Sequence, residues 1–310
     1  MLNLICLFRE GEADMKNKYP ITLLVLCIVI LSIIVSIYGI FSNDGTGEYQ
    51  ITSFRGEEIT IYGKGIYQND SIALVSQGIP QDIVTLIVGV PLLLSSLIFA
   101  RKGLLKGRLL LTGTLGYFLY TYISYTFLLM YNSFFLIYVA LMSASFFAFV
   151  LAMLSIDIKE LKSSFNPQLP VKLIGGFQIF IGVALLFLWL GRIVPSLINK
   201  TIPFGLEHYT TLVIQAMDLG FIVPTAILSG ILIIYRSPFG YLLSSVVIIK
   251  GITMLTAISA MIIGMAYAGV EMSPIEMALF PMFNLVIIYI LYILLKNIDE
   301  KKHGSEISLN

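Results

Sequence analysis

A chain of 310 residues has the length of two soluble domains, but its composition excludes them: 58% of residues are hydrophobic, 12% are charged and the mean hydropathy is +0.93. Soluble domains run about 45–50% apolar and about 25% charged, so this chain lacks the polar surface that water demands. Its 19 basic and 18 acidic residues leave a net charge of +1, which excludes nucleic-acid binding through a cationic face. The partner these numbers imply is the lipid bilayer.

A membrane span needs about 20 apolar residues to cross a hydrocarbon core of about 30 Å. Residues 1–18 read as a cytoplasmic segment, with the basic Met15-Lys16-Asn17-Lys18 offering a second start of translation beside Met1. Residues 19–42 form the first helix, whose uncharged run 21–41 is longer than the apolar stretch of about 7–15 in a cleavable signal and is followed by no A-x-A site. An uncleaved anchor is expected. Cys6 falls in the N-terminal segment and Cys27 within this helix, so no disulfide framework is implied.

Residues 43–82 form the sizeable loop. Tyr49-Gln-Ile-Thr-Ser-Phe and Glu58-Ile-Thr-Ile-Tyr alternate apolar and polar residues around Arg55-Gly56, and Gly63-Lys64-Gly65 precedes Ile66-Tyr67. That pattern predicts a β-hairpin with an optional third strand, too small to stand without support from helix ends. It serves either as a structural lid or as a surface that meets a ligand or partner.

Residues 83–296 hold seven further expected helices, at 83–100, 109–130, 134–154, 173–193, 211–235, 241–268 and 277–295. The uncharged stretch 109–156 is long enough for two of them, and Tyr131-Asn132-Ser133 is its natural break. Residues 297–310 form a short polar tail. The fold class expected is therefore an all-α bundle of eight transmembrane helices with a small β-rich extracytoplasmic loop between helices one and two. Lys and Arg near span ends stay cytoplasmic. With eight spans, the side bearing the loop keeps Arg55, Lys64, Arg192 and Lys200, Lys250 lies within a span, and the rest of the 19 gather on the side of both termini. Both termini are expected in the cytoplasm of a plasma-membrane protein.

Asp218 and Lys250 are the informative residues. A charge at a helix centre costs about 2.5–3.5 kcal/mol on insertion scales, so each needs a compensating role. They lie on consecutive expected helices, Asp218 about 11 Å from one end and Lys250 about 14 Å from the other, so an ion pair is allowed near mid-membrane. Gln215, Asp218, Thr225 and Ser229 share a helical face, and Pro224 frees a backbone carbonyl beside them. Lys250 heads a stripe of small residues suited to close helix contact. The pair reads either as structural glue or as a binding or coupling site for a small molecule or ion. Tyr120, on the third expected helix with Tyr117, Thr121 and Ser124, is a candidate wall of that site. Asp82, Asn132, Arg192, Glu207 and His208 are expected to ring its outer mouth, although solvation at an interface would place them there as well.

Pro91 and Pro224 mark the second and sixth expected helices alike, a weak hint of two four-helix halves. The chain holds no G-x-x-x-x-G-K-[ST], G-x-S-x-G or H-E-x-x-H, and His208 beside one carboxylate lacks metal-ligand spacing, so no cofactor and no metal are implied. The reading that follows is a membrane protein that binds or transports a small molecule or ion. The rival is an accessory or sensory protein whose outer loop meets a membrane or extracytoplasmic partner, and an intramembrane enzyme is the least supported.

Overall fold

The computed structural model describes residues 17–270 and 274–300. Cys6, the choice between Met1 and Met15, and most of the expected tail lie outside them. Helix α1 (Lys18–Phe41) leads into a two-stranded antiparallel hairpin, β1 (Tyr49–Thr52) and β2 (Glu58–Ile61), in the register Tyr49↔Ile61 and Ile51↔Ile59. Gly56 at φ 88° closes the turn in a backbone region that suits glycine. The optional third strand is a 3₁₀ turn, Gly65–Tyr67, which buries Ile66 and Tyr67 against α1.

The next helix starts at Ile72 rather than near 83. Ser71 caps it, its hydroxyl accepting from Leu74 N at 3.2 Å. Helix α2 (Ile72–Val84), a five-residue π segment (Thr85–Gly89) and α3 (Val90–Arg101) form one continuous span. Then come α4 (Leu105–Leu128), α5 (Phe135–Leu154), the short α6 (Ile158–Ser163) and α7 (Val171–Asn199). Helix α8 (Val213–Met217), a second π segment (Asp218–Ile222) and α9 (Val223–Ile234) form another broken span. Helices α10 (Pro238–Tyr267) and α11 (Pro274–Lys296) complete the bundle.

Among the described residues, seven helices are long and apolar enough to cross a membrane: Lys18–Phe41, Ile72–Arg101, Phe135–Leu154, Val171–Asn199, Val213–Ile234, Pro238–Tyr267 and Met277–Lys296. The chain is a multi-pass membrane protein. The eighth expected span corresponds to α4, which has 24 residues but is rich in Thr, Tyr, Ser and Gly. It is long enough and too polar to be counted with the others. Instead of facing outward it is enclosed, packed by α3, α5, α8 and α10.

The helices form two groups. Helices α1 to α5 share one apolar core around Leu111, Tyr117, Phe118, Tyr122 and Tyr138, and α7, α9, α10 and α11 share a second around Ile174, Ile233, Ile248 and Leu294. Helix α10 joins them through α2 and α4. The α4–α10 contact is close because Gly113 has no side chain; a methyl there would overlap Ile249 and lie 3.2 Å from the carbonyl of Val246. At the end opposite the hairpin, Glu300 caps α4 by accepting from Leu105 N at 2.8 Å and Lys106 N at 2.9 Å.

Gly113→Val should wedge this seam open and cost about 1–3 kcal/mol of stability, as overpacking does. Gly176→Ala, with nothing within 4 Å of the added carbon, should melt like the parent. Thermal melts of both variants in lipid discs check this, and an unchanged Gly113→Val melt would contradict the close seam.

Candidate functional site

Asp218 opens the π segment of its span, and Pro224 explains why a π turn sits there. Proline lacks an N–H and cannot continue the α-helical ladder, so the turn widens and Val223 N donates to Asp218 O instead. The Asp218 side chain, 8% exposed, is held from two helices. Its Oδ1 accepts from the Tyr120 hydroxyl of α4 at 2.8 Å, and its Oδ2 accepts from Trp189 Nε1 of α7 at 2.9 Å.

Lys250 does not pair with Asp218. Its Nζ rests over the ring of Tyr120, 4.0 Å from the centroid. Tyr120 therefore stands between acid and base, its hydroxyl on one and its π face under the other. Among the described residues, no acceptor lies within hydrogen-bond reach of Nζ. Gln215 lies one turn before Asp218, is 6% exposed, and its amide makes no hydrogen bond to a described residue. Asp218, Tyr120, Lys250 and Trp189 form one polar cluster between α4, α7, the second π segment and α10, with Gln215 preceding it on α8. Thr225 is partly buried and takes no part in that hydrogen bonding. Ser229 turns to a separate knot, where it and Ser244 both donate to Gln178 Oε1, at 3.2 and 2.9 Å.

The expected outer ring needs correction at Asp82. That carboxylate is 2% exposed, inside the bundle, accepting from Tyr67 at 2.5 Å and Tyr125 at 3.1 Å, with Ser36 of α1 facing it. Because the helix begins at Ile72, Asp82 lies well within it instead of at its mouth. Asn132 caps the turn into α5, its Oδ1 accepting from Phe134 N at 2.9 Å. Arg192 donates through Nε to the carbonyl of Phe204 at 2.9 Å and lies beside the rings of Trp189 and Phe204. Glu207 accepts from the Ser71 hydroxyl, and its carbonyl accepts from Arg55 at 2.9 Å. The His208 ring hydrogen-bonds the carbonyl of Asn69 at 3.1 Å and stacks on Tyr209. Glu207 and His208 thus fasten the loop before α8 onto the hairpin segment, closing the end of the bundle above Asp218.

That closure centres on Asp70, the residue before the Ser71 cap of α2. It is 1% exposed and accepts from Met130 N at 2.9 Å and the Tyr209 hydroxyl at 3.1 Å, so three loops from both helix groups meet on one carboxylate. Burial pushes its pKa up to about 7, against the lowering effect of those two hydrogen bonds. Trp189 carries no sequence pattern of its own, although it is the chain's single tryptophan and lies one turn from Arg192.

Among the described residues, no group of three or more His, Cys, Asp or Glu is placed to hold a metal. A cavity of about 340 Å³ lies between α10 and α11 near Ser259, Ala266 and Pro281, and one of about 380 Å³ lies near Lys162, Arg236 and Tyr241. Neither is lined by Asp218 or Lys250. No family model, curated protein or solved structure matches the chain.

The closure should respond to pH. The folded cap prefers protonated Asp70, so the stability it contributes is fully present below about pH 4, falls as pH rises, and is lost above about pH 7, a change on the order of 4 kcal/mol. Asp70→Asn should flatten that dependence. Melting temperature across pH 4–8 for both proteins checks this; equal slopes would contradict it.

Proposed function

We propose that this membrane protein binds a small molecule or ion at the Asp218 cluster and carries it across the plasma membrane. Asp218 and Gln215 supply the polar contacts, Lys250 the positive charge, and Tyr120 and Trp189 the walls, with Pro224 and Thr225 in the first turn of α9 after the widened turn. The observation that carries this reading is Lys250. An ammonium group inside a bundle is expensive, and structural glue would close directly onto the nearby carboxylate. Here the ammonium lies over a tyrosine ring, with no acceptor in hydrogen-bond reach among the described residues.

The same reading counts α4 as the third of eight spans, enclosed where the other helices touch lipid. It sets both termini in the cytoplasm and the hairpin outside, which the segregation of Lys and Arg supports. The ligand then enters from the hairpin side when the Asp70 closure opens.

One observation favours the rival reading of an accessory or sensory protein. Phe54 at the hairpin tip is 72% exposed, with the Arg55 guanidinium 3.9 Å from its ring centroid, a surface a protein partner can use. Deleting residues 46–66 would then destroy partner capture while Asp218→Asn changed stability alone.

Water access separates the two. With Cys6 and Cys27 replaced by serine and cysteine placed at Gln215, a membrane-impermeant maleimide applied to intact cells should label the protein. No labelling at Gln215→Cys, with Asn132→Cys reactive as the rim control, would count against a ligand path and in favour of a structural cluster.

A further inference from the structure

The two broken spans are copies of one design. An offset of 133 residues separates Thr85–Gly89 from Asp218–Ile222, Val90–Arg101 from Val223–Ile234, and the start of α4 at Leu105 from the start of α10 at Pro238. Each π segment is followed by Val-Pro, at Val90-Pro91 and Val223-Pro224. Side chains obey the same offset. Ser96 donates to Leu93 O at 2.9 Å and Ser229 to Ala226 O at 3.0 Å. Thr112 donates to Arg108 O at 2.8 Å and Ser245 to Tyr241 O at 2.7 Å. A methyl at Gly107 would strike the backbone of Phe99 and Ala100, and one at Gly240 would strike that of Leu232 and Ile233, which are the offset partners of those two residues.

Gly113 and Val246 are also offset partners, and they touch each other across the α4–α10 seam. A residue meeting its own counterpart marks a two-fold axis. Four helices per unit leave the two units parallel, so this axis runs along α4 and α10.

The axis turns the Asp218 cluster into a comparison. Thr85 is the counterpart of Asp218, and Tyr117 that of Lys250. In the first unit these side chains touch, Thr85 Oγ1 and Tyr117 Oη lying 2.9 Å apart. In the second unit they have become an acid and a base, and they stay apart, with Tyr120 and Trp189 on the acid and the base over the Tyr120 ring, without a hydrogen bond among the described residues. Asp82 is the counterpart of Gln215; the first is held by two tyrosines and the second has no partner among the described residues.

We propose that the membrane domain is a tandem pair of parallel repeats, and that Asp218 and Lys250, whose counterparts in the first repeat are joined by a direct hydrogen bond, together seat beside the Tyr120 ring a small zwitterion with a cationic N–H group and an anionic oxygen, as in an amino acid. This deepens, and rests on, the reading of the cluster as a ligand site. Each Asp218 oxygen retains a lone pair for an ammonium, and Lys250 and the Gln215 amide supply donors for a carboxylate. Tyr120 and Trp189 offer π faces to the cationic end. The cluster already balances one negative against one positive group, so a ligand of net zero charge adds no uncompensated charge to a low-dielectric interior.

Trp189, the single tryptophan, donates to Asp218 and reports on the site directly. Its fluorescence in the purified full-length protein should be followed while each standard amino acid is titrated, then the decarboxylated amine and the deaminated acid of each responder. Expected is a saturable change with at least one amino acid, at least tenfold weaker for its amine and its acid. The double variant Asp218→Thr/Lys250→Tyr, which installs the first repeat's pair, should remain folded and lose the response. Should it fail to fold, Lys250→Gln should weaken the response at least tenfold. An amine or acid binding as tightly as the amino acid overturns the zwitterion and leaves the ligand site standing, as does silence from every amino acid while Gln215→Cys is labelled. A response that survives the double variant, or unchanged affinity in Lys250→Gln, overturns the place.

Discussion

A polar helix inside a membrane bundle has to be enclosed, and α4 is that helix. Each hydroxyl on it that met lipid would cost several kcal/mol, so neighbours must be found for Tyr117, Tyr120, Thr121 and Tyr125. The bundle supplies them from both sides. Tyr125 donates to Asp82 and Tyr120 to Asp218, so one helix answers a buried carboxylate in each helix group. An intramolecular hydrogen bond contributes about 0.5–1.5 kcal/mol, and leaving a buried polar group without one costs about 1–3 kcal/mol. The acids are tolerated because α4 is central, and α4 is central because it is polar.

Close approach follows from the same need. Tyr117 reaches Thr85 of the first π segment and Gln81 of α2, at 2.9 and 2.7 Å, because that broken span packs along α4. Gly113 lets α10 press against the other flank. With α4 gripped there, Lys250 is carried to the ring of Tyr120 and not past it to Asp218. The unbonded ammonium is thus a product of the seam, and the widened turn at Asp218–Ile222 sets the carboxylate on the far side of the same ring.

Much of this was legible in the sequence. Uncharged runs located seven apolar spans, and Gly turns between alternating residues located the hairpin. Asp218, Gln215, Tyr120 and Lys250 stand out by the cost of charge in lipid and by helical spacing; in the structure Tyr120 bonds Asp218 and lies under Lys250. Other features escaped for physical reasons. Asp82 looked like a boundary because charge in lipid is costly, yet tyrosines from the 3₁₀ turn and α4 enclose it, and partners far apart in sequence leave no local pattern. Ile66-Tyr67 looked like a strand, but the second edge of β2 is met by Asp70 and Ser71 instead. Thr225 shares a face with Asp218 on a regular helix; the π turn between them shifts that register. Trp189 lies on α7, and its tie to Asp218 depends on how α7 and α9 pack. Pro91 and Pro224 alone suggested two halves weakly, and the matched π segments are what make the correspondence residue by residue.

The central claim is that Tyr120, and not Lys250, is the direct partner of Asp218. Double-mutant cycles on unfolding free energy in lipid discs test it most directly. The cycle of Tyr120→Phe with Asp218→Asn should show a coupling of about 1–3 kcal/mol, and the cycle of Lys250→Met with Asp218→Asn a smaller one. A Lys250–Asp218 coupling of about 3–5 kcal/mol, as a closed buried ion pair would give, would contradict the account.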